Sequence, residues 1–210
     1  LCVRCGPFLE PRPGGFCPGC GYLQGDTEAP LMHCAVCRRS PPPWETLAFF
    51  GLYTGVLRDL ILEYKFQGRL GHVALLAECL VHCYRTHLHG QGWDTLVPVP
   101  LHQERLRHRG FNQSLEAVRP WAKYEGLSLE SQGLVRVRRT RSQTGLTKAE
   151  RENNVCDAFM ANGGAASWAT RNVILVDDVF TTGATLRACA RTLQAANVRR
   201  LAVLTLARAE

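Results

Sequence analysis

Hydrophobic residues alternate along the chain between two patterns. Short aliphatic runs, such as residues 47–53 and 201–206, have the length and composition of buried strands. Between such runs, apolar residues return every three or four positions, which is the period of a helix with one buried face. Residues 56–66, 73–84 and 186–196 show this spacing. The alternation of strand and helix predicts an α/β fold in which helices flank a parallel sheet.

Three further segments, residues 95–100, 134–138 and 173–176, are also predicted strands. Pro98 and Pro100 interrupt the first of them, so that strand has to end in a fixed loop. The chain of 210 residues shows no internal repeat, and its length fits one α/β domain with a small appendage.

The segment around residues 173–176 is the most informative one. Four consecutive aliphatic residues are typical of a strand buried on both faces, and the acidic pair Asp177 and Asp178 follows directly. A turn rich in Thr and Gly then opens a helix near Thr185, so N–H groups and hydroxyls converge at the carboxyl edge of the sheet. A ribose phosphate would satisfy both the anion-binding turn and the carboxylates. The alternative is an ordinary turn and helix cap, but two adjacent carboxylates are costly to bury without a partner.

A second phosphate-binding junction is predicted after the proline-containing strand. Arg105, Arg107 and Arg109 precede a turn at Gly110, and Asn112 is suited to cap the helix that follows. Because arginines and helix N-termini both bind anions, we expect this junction to hold a phosphate. A solvated basic face is the alternative interpretation.

Six of the ten cysteines form three C-x-x-C pairs near the start of the chain. Too few large apolar residues lie between the pairs to build a core, so a bound metal has to supply the folding energy. Paired thiolates two residues apart can both reach one tetrahedral Zn²⁺, and Gly21 permits the tight turn that this requires. A redox function is disfavoured, because such a motif needs a single pair at a helix start within a βαβ unit.

Six thiolates do not divide evenly into sites of four ligands. We expect one site from the second and third pairs, and its role is structural because four thiolates leave no open position for catalysis. The expected ligands are Cys17, Cys20, Cys34 and Cys37. The first pair, Cys2 and Cys5, is either an alternative partner in this site or the remnant of a second ribbon.

Composition narrows the choice of partners. The net charge of +7 comes mainly from arginine, as expected for phosphate recognition in a small ligand or in nucleic acid. The first residues lack a charged region followed by an apolar one, and the longest apolar runs are too short to cross a bilayer. We therefore expect a cytoplasmic protein without membrane insertion.

Cys79 and Cys83, with the histidines near them, are interpreted as buried thiols and surface histidines.

Three motifs resemble the ComF-type branch of the type I phosphoribosyltransferases. They are VILVDDVFTTGAT at residues 173–185, VPVPL with RLRHRGFNQ at residues 97–113, and the polar segment between residues 140 and 159. The resemblance covers nearly the whole chain. It implies a small zinc ribbon at residues 1–43 and a type I phosphoribosyltransferase-like domain at residues 44–210. Relatives often carry four C-x-x-C pairs, whereas this chain has three.

The resemblance also implies a role for each motif. In that family the acidic pair holds the ribose hydroxyls of phosphoribosyl pyrophosphate (PRPP), the Thr/Gly loop holds its 5′-phosphate, and a mobile flap closes over it. The catalytic residues implied here are Asp177 and Asp178. The implied PRPP-binding residues are Val179, Phe180, Thr181, Thr182, Gly183, Ala184, Thr185, Arg105, Arg109, Gly110, Asn112 and Gln113. The implied flexible-loop residues are Arg136, Arg138, Gln143, Arg151 and Asn154.

The reaction implied is transfer of phosphoribosyl to an acceptor with release of pyrophosphate, assisted by Mg²⁺. No residue stands out as a general base and no acceptor pocket is readable, so the acceptor stays open. The competing hypothesis is a non-catalytic protein that binds single-stranded DNA and uses the PRPP site as a sensor, since ComF-type relatives are tied to DNA uptake. Phe111 and Trp121 would then stack on bases, and other competence proteins would be partners.

Overall fold

The computed structural model describes residues 9–67, 70–139, 150, 154–155 and 157–209. Within these residues the α-helices are α1 (Ala35–Arg39), α2 (Gly55–Gln67), α3 (Val73–His87), α4 (Gln103–Arg109), α5 (Gln113–Ala122), α6 (Ala165–Trp168) and α7 (Ala184–Ala195). The strands are β1 (Thr46–Leu52), β2 (Thr95–Pro98), β3 (Ser128–Leu129), β4 (Leu134–Arg136), β5 (Phe159–Ala161), β6 (Asn172–Phe180) and β7 (Arg200–Arg208). A short 3₁₀ turn, Leu70–His72, precedes α3.

Five of the strands form one parallel sheet in the order β1-β7-β6-β2-β3, which confirms the predicted α/β fold. Side chains of β6 alternate between two cores. Ile174 and Val176 pack into the cluster that contains α2, α3 and α5, whereas Val173 and Leu175 pack into the cluster that contains α7. Each of the four is fully buried and contributes about 2 kcal/mol of hydrophobic stabilisation. This central strand fixes the position of whatever follows it.

The central strand is longer than the sequence predicts. It continues through Asp177 and Asp178 to Phe180, because it keeps pairing with β7 as far as Arg208. Its other neighbour, β2, stops pairing at Val176. The acidic pair therefore lies where β6 keeps its strand partner on one side and has lost it on the other.

Two local predictions were wrong. The arginine-rich segment was expected only as a junction that leads through a turn at Gly110 into the next helix, but it forms a helix of its own, α4, which His102 caps at its start and Gly110 ends with a φ of +84°. The strand predicted at residues 134–138 is present but ends at Arg136, as β4. It pairs antiparallel with β5, so Phe159 belongs to a small separate sheet rather than to a loop. Pairing between distant segments decides the second case, and a local pattern does not contain it.

Helix α3 agrees with the sequence pattern. Cys79 and Cys83 are buried on its inner face, His82 and His89 are exposed, and His87 is partly buried. Among the described residues, no helix combines the length and the apolar character needed to cross a bilayer.

Candidate functional site

The two aspartates in the last part of β6 contact polar groups of α2 and α5. Asp178 is buried, with 8% of its side chain exposed, and its Oδ1 lies 2.7 Å from Nζ of Lys65 on α2. Asp177 Oδ1 accepts hydrogen bonds from the backbone N–H of Asp178 at 2.9 Å and from the Ser114 hydroxyl at 3.2 Å. Within the described residues, Oδ2 of Asp178 is buried and accepts no hydrogen bond. Because such an oxygen is costly to leave unpaired, it is suited to accept a donor from a ligand.

The electrostatics of the pair disfavour two full negative charges. Burial, followed by the charge of Asp178, raises the pKa of Asp177 to about 7, against the lowering influence of the Lys65 ammonium. The ligand-free pair is therefore partly protonated near neutral pH. Hydroxyl donors or a bound cation would favour the fully ionised pair, so the arrangement is suited to sugar hydroxyls and to a divalent metal ion.

The turn after β6 leads directly into the N-terminus of α7. Gly183 has a φ of +75°, and a Cβ atom there would lie 2.6 Å from Cζ of Phe180, so both the backbone and the space require glycine. Thr182 accepts a long hydrogen bond of 3.4 Å from the Ala184 N–H, and its carbonyl accepts one of 2.6 Å from Arg187. The first N–H groups of this 12-residue helix face the turn, and such groups are suited to accept an anion. Thr181 is exposed and Thr185 partly buried at this position.

The arginine-rich junction lies beside the acidic pair. Asn112 caps α5 by accepting hydrogen bonds from two backbone N–H groups, as predicted, and its Nδ2 donates to the carbonyl of Val99. Arg109 Nη1 donates to Oε1 of Gln113 at 2.6 Å, which fixes the guanidinium direction. Burial lowers the pKa of Arg109, and the charges of Asp178 and Asp177 oppose that effect. Arg109 is therefore close enough to the acidic pair to interact with its charge.

Only some of the expected flap residues lie within the described part of the chain. Arg136 is 8% exposed in β4 and its guanidinium lies 5.2 Å from the Phe159 ring centroid, so it is not part of an exposed loop. Arg138 is exposed and donates to the carbonyl of Asn154 at 3.1 Å. Gln143 and Arg151 lie outside the described residues.

Four cysteine sulfur atoms come together at the N-terminus. Those of Cys17, Cys20, Cys34 and Cys37 all lie within 4.8 Å of one another, as the spacing of the pairs predicts. Four thiolates placed ~2.3 Å from a tetrahedral zinc ion are about 3.8 Å apart, and the Cys20 and Cys34 sulfur atoms are 3.8 Å apart. The cluster therefore has the ligands and the dimensions of a structural zinc site. The other expected ligands, Cys2 and Cys5, lie outside the described residues.

Backbone groups around the cluster support metal-bound thiolates. The N–H groups of Gly19 and Cys34 both donate to the Cys17 sulfur at 3.3 Å, as expected for a zinc knuckle. Gly21, which follows the second cysteine, has a φ of +71° and confirms the predicted tight turn. At Gly19 a Cβ atom would lie 2.8 Å from the Cys37 sulfur, so this position also requires glycine.

Comparison with known proteins assigns the family. No protein-family model matches the chain. Competence protein F of Haemophilus influenzae is 29% identical over 99% of this chain and 96% of that protein. The DNA utilization protein YhgH of Salmonella typhi is 33% identical over 92% of this chain and 83% of that protein. The chain belongs to this ComF-type family. Competence protein ComFC of Bacillus subtilis is 29% identical over 92% of this chain and 77% of that protein.

In this ComF-type chain the ribbon packs tightly on the sheet. Phe16 is fully buried, and its ring centroid lies 4.4 Å from that of Phe49 on β1. The Trp44 indole donates to the carbonyl of Gly19 at 3.0 Å, and Arg208 Nε donates to the carbonyl of Cys20 at 3.1 Å. Residues of the ribbon and of the α/β fold therefore pack together in one of the two hydrophobic cores, the one that contains α7.

The ribbon also covers the free edge of β1, which pairs with β7 on its other side. The N–H of Arg12 donates to the Phe50 carbonyl at 2.6 Å, and the Leu47 N–H donates to the Pro18 carbonyl at 2.6 Å. These bonds occupy backbone groups that a strand at a sheet edge would otherwise leave unpaired.

Sequence reasoning missed two residues of the ComF-type site. Lys65 reaches Asp178 from the last turn of α2, and Ser114 reaches Asp177 from the first turn of α5. Ser114 directly follows the arginine-rich motif, so its position in the chain was a usable signal. Lys65 belongs to an ordinary amphipathic helix, and only the packing of α2 against the sheet brings it to the site.

Proposed function

We propose that this ComF-type chain binds Mg²⁺-PRPP at the carboxyl edge of its sheet and transfers the phosphoribosyl group to an acceptor, with release of pyrophosphate. The observation that carries the proposal is the buried oxygen of Asp178 that accepts no hydrogen bond from the described residues, at the end of the strand whose following turn opens α7. The carboxylates offer acceptors to ribose hydroxyls, and the helix offers N–H donors to a 5′-phosphate. One ribose phosphate would use both.

Residues of the chain would position the substrate and stabilise its charges. Asp177 and Asp178 would accept the ribose hydroxyls and stabilise the positive charge that develops on the ring as the bond from C1 to pyrophosphate breaks. Arg109, oriented by Gln113, would neutralise the departing pyrophosphate. The acceptor would form the new bond to C1 with its own lone pair and lose a proton to solvent or to pyrophosphate. Holding both reactants in place lowers the entropic cost of their encounter.

Magnesium fits the donor set of this edge. Carboxylate and hydroxyl oxygens are the hard ligands that Mg²⁺ prefers, and Asp178 presents a buried oxygen that has no partner among the described residues. Asp177 and Asp178 would hold the ion together with oxygens of the substrate. When bound, Mg²⁺ would supply neutralisation of the pyrophosphate charge.

Titration calorimetry with PRPP, with and without Mg²⁺, tests the binding step. The Asp177→Asn/Asp178→Asn double variant should lose at least about 100-fold in affinity, because two charge-assisted contacts disappear. Asp59→Asn, at an exposed acidic residue of α2, is the matched control and should bind like the wild type. Absence of binding heat with the wild type, or an affinity of the double variant equal to that of the wild type, would refute the proposal. Pyrophosphate release across a panel of bases, metabolites and single-stranded DNA then tests the transfer step.

A second candidate function is binding of single-stranded DNA, in a protein that uses the PRPP site as a sensor. One relative is named a DNA utilization protein, which links that protein to DNA, and another is named a competence protein. In this chain Phe66 is 73% exposed, and the Arg109 guanidinium lies 5.6 Å from the centroid of its ring. An exposed ring beside the cationic helix α4 suits an unpaired base and its phosphates. Other competence proteins would be its partners in DNA uptake.

The aromatic residues expected to stack on DNA are the wrong ones. Trp121 is only 5% exposed, and its indole donates to the Ala117 carbonyl. Phe111 is partly buried, and its ring packs 5.2 Å from that of Tyr64. Phe66 would therefore be the residue that stacks on bases, because its ring is exposed to solvent and lies next to Arg109.

Fluorescence anisotropy with a labelled oligonucleotide tests this second function. Affinity should fall steeply as salt rises, since each neutralised phosphate releases counterions. Phe66→Ala should cost ~1–3 kcal/mol per stacked base, whereas Tyr124→Ala, at an exposed ring just after α5, should have no effect. Tight DNA retention without pyrophosphate release against any acceptor would favour the binding function over transfer. Release with a free base and no DNA retention at low salt would exclude it.

A further inference from the structure

Lys65 is the cation in direct contact with the acidic pair. Its ammonium lies 2.7 Å from Asp178 Oδ1, and the two side chains are 17% and 8% exposed. A buried ammonium needs an anion as much as a buried carboxylate needs a cation, since removing either partner leaves an uncompensated charge. If a ligand donor or a cation competes for the charge of Asp178, the ammonium is best compensated by a second anion nearby.

The fold places this ammonium on a defined side of the site. Lys65 belongs to α2, which packs with α3 and α5 in the cluster on one face of the sheet, and from that side it contacts Asp178. The Thr/Gly turn leads instead into α7, whose residues pack in the cluster on the opposite face. Lys65 and the anion-binding turn therefore lie on opposite sides of the acidic pair.

The chemistry of a ribose phosphate maps onto this arrangement. In the furanose ring, C1 is bonded to C2, so the substituent at C1 is the neighbour of the 2-hydroxyl. The 5-phosphate is attached at the other end of the ring. With the 5-phosphate at the N-terminus of α7 and the hydroxyls on Asp177 and Asp178, the C1 substituent points toward α2 and α4. Lys65 and Arg109 are the cations on that side.

We propose that Lys65 is the specificity-determining residue that selects a 1-diphosphate over a free 1-hydroxyl, by exchanging Asp178 for the diphosphate when PRPP binds. The proposal rests on the proposed function, because it assumes that a ribose phosphate occupies the site. In the ligand-free protein Lys65 compensates the charge of Asp178. In the complex its ammonium gains a stronger anion while the sugar hydroxyls satisfy the carboxylate.

The affinities for PRPP and for ribose 5-phosphate test this role, because the two ligands differ only at C1. Lys65→Gln keeps a donor for Asp178 but removes the charge. We expect it to weaken PRPP binding ~10–100-fold and ribose 5-phosphate binding less than about threefold. Lys65→Arg should keep most of the PRPP affinity. Lys123→Gln, at an exposed lysine after α5, is the matched control and should change neither affinity.

A change of equal size for both ligands would overturn the inference, because a merely structural lysine would affect them alike. Wild-type protein that binds neither ligand would overturn the proposed function itself, which is a distinguishable result.

A check that needs no variant is the acetylation rate of Lys65, read by peptide mass spectrometry. Bound PRPP should protect Lys65 more than bound ribose 5-phosphate does, and equal protection would contradict the exchange.

Discussion

The guanidinium of Arg208 lies 5.3 Å from the centroid of the Phe180 ring, while its Nε donates to the carbonyl of Cys20. Phe180 is the last residue of β6, and its ring fills the space where Gly183 has no side chain. Trp44 contacts the same ring edge-on, with centroids 6.1 Å apart, and donates to the carbonyl of Gly19. Two residues therefore connect the zinc knuckle to the turn that we assign to the 5′-phosphate.

The protein should contain one zinc ion per chain in the cluster of four thiolates. Elemental analysis of protein purified under reducing conditions without chelator measures the ratio. A ratio near zero in soluble, reduced protein would refute the ribbon. A ratio near two would show that Cys2 and Cys5 take part in a second site.

Removing zinc should weaken PRPP binding although none of the four clustered cysteines belongs to the site proposed for PRPP. Without metal the knuckle carbonyls of Gly19 and Cys20 lose their fixed positions, and Trp44 and Arg208 lose hydrogen bonds that hold them on Phe180. We expect a loss of about 3-fold to 30-fold after chelation, reversed by added zinc, in calorimetry with Mg²⁺ in excess of free chelator. Unchanged affinity in zinc-free, folded protein would show that the ribbon and the turn are independent.

Gly183→Ala should damage both stability and PRPP binding. The added Cβ meets the Phe180 ring at 2.6 Å, and the positive φ adds strain. We expect a loss of ~2–4 kcal/mol in the free energy of unfolding, measured with urea. Gly90→Ala is the matched control, because Gly90 has a φ of +76° but open space around it. Equal losses in the two variants would mean that the Phe180 contact has no effect.

The free energy of unfolding of the ligand-free protein should depend on pH because of Asp177. Its pKa is about 7 in the folded protein, whereas an unfolded Asp has a pKa of ~3.9. Between these values the folded state binds more protons than the unfolded one, so the free energy of unfolding falls as pH rises and levels off above the folded pKa. The side chain is partly exposed, so we expect a fall on the order of 1–2 kcal/mol from this residue.

Urea unfolding of the wild type and of Asp177→Asn at a series of pH values isolates this effect. The stability of the wild type relative to the variant should decline from pH 5 to pH 7.5. Asp59→Asn, at an exposed carboxyl, should run parallel to the wild type. A constant difference between the wild type and Asp177→Asn would show that the carboxyl titrates normally.

Local sequence patterns were sufficient for the parts of the structure that local chemistry determines. The run at residues 173–176 predicted a doubly buried strand, because only such a strand tolerates four aliphatic residues in succession. The second and third C-x-x-C pairs predicted the cluster of thiolates, since their spacing matches a metal knuckle. The cap at Asn112 followed from the preference of a short amide side chain for a helix start.

The remaining features depend on contacts between distant segments. The extension of β6 to Phe180 requires β7 as a partner, and the pairing of β4 with β5 joins residues about 25 positions apart. Lys65 has an ordinary helical context, and its salt bridge with Asp178 exists only because α2 packs over the end of β6. A single sequence contains no local signal for any of these.

The covered edge of β1 also governs how copies of this protein behave toward one another. The hydrogen bonds from Arg12 and to Pro18 keep a seven-residue strand of largely apolar composition from offering its backbone to another chain. The segment that carries the four cysteines therefore guards this strand edge against pairing between copies. In a zinc-poor cell, or after oxidation of the thiolates, newly made chains would present this strand to each other and form sheets that extend from molecule to molecule.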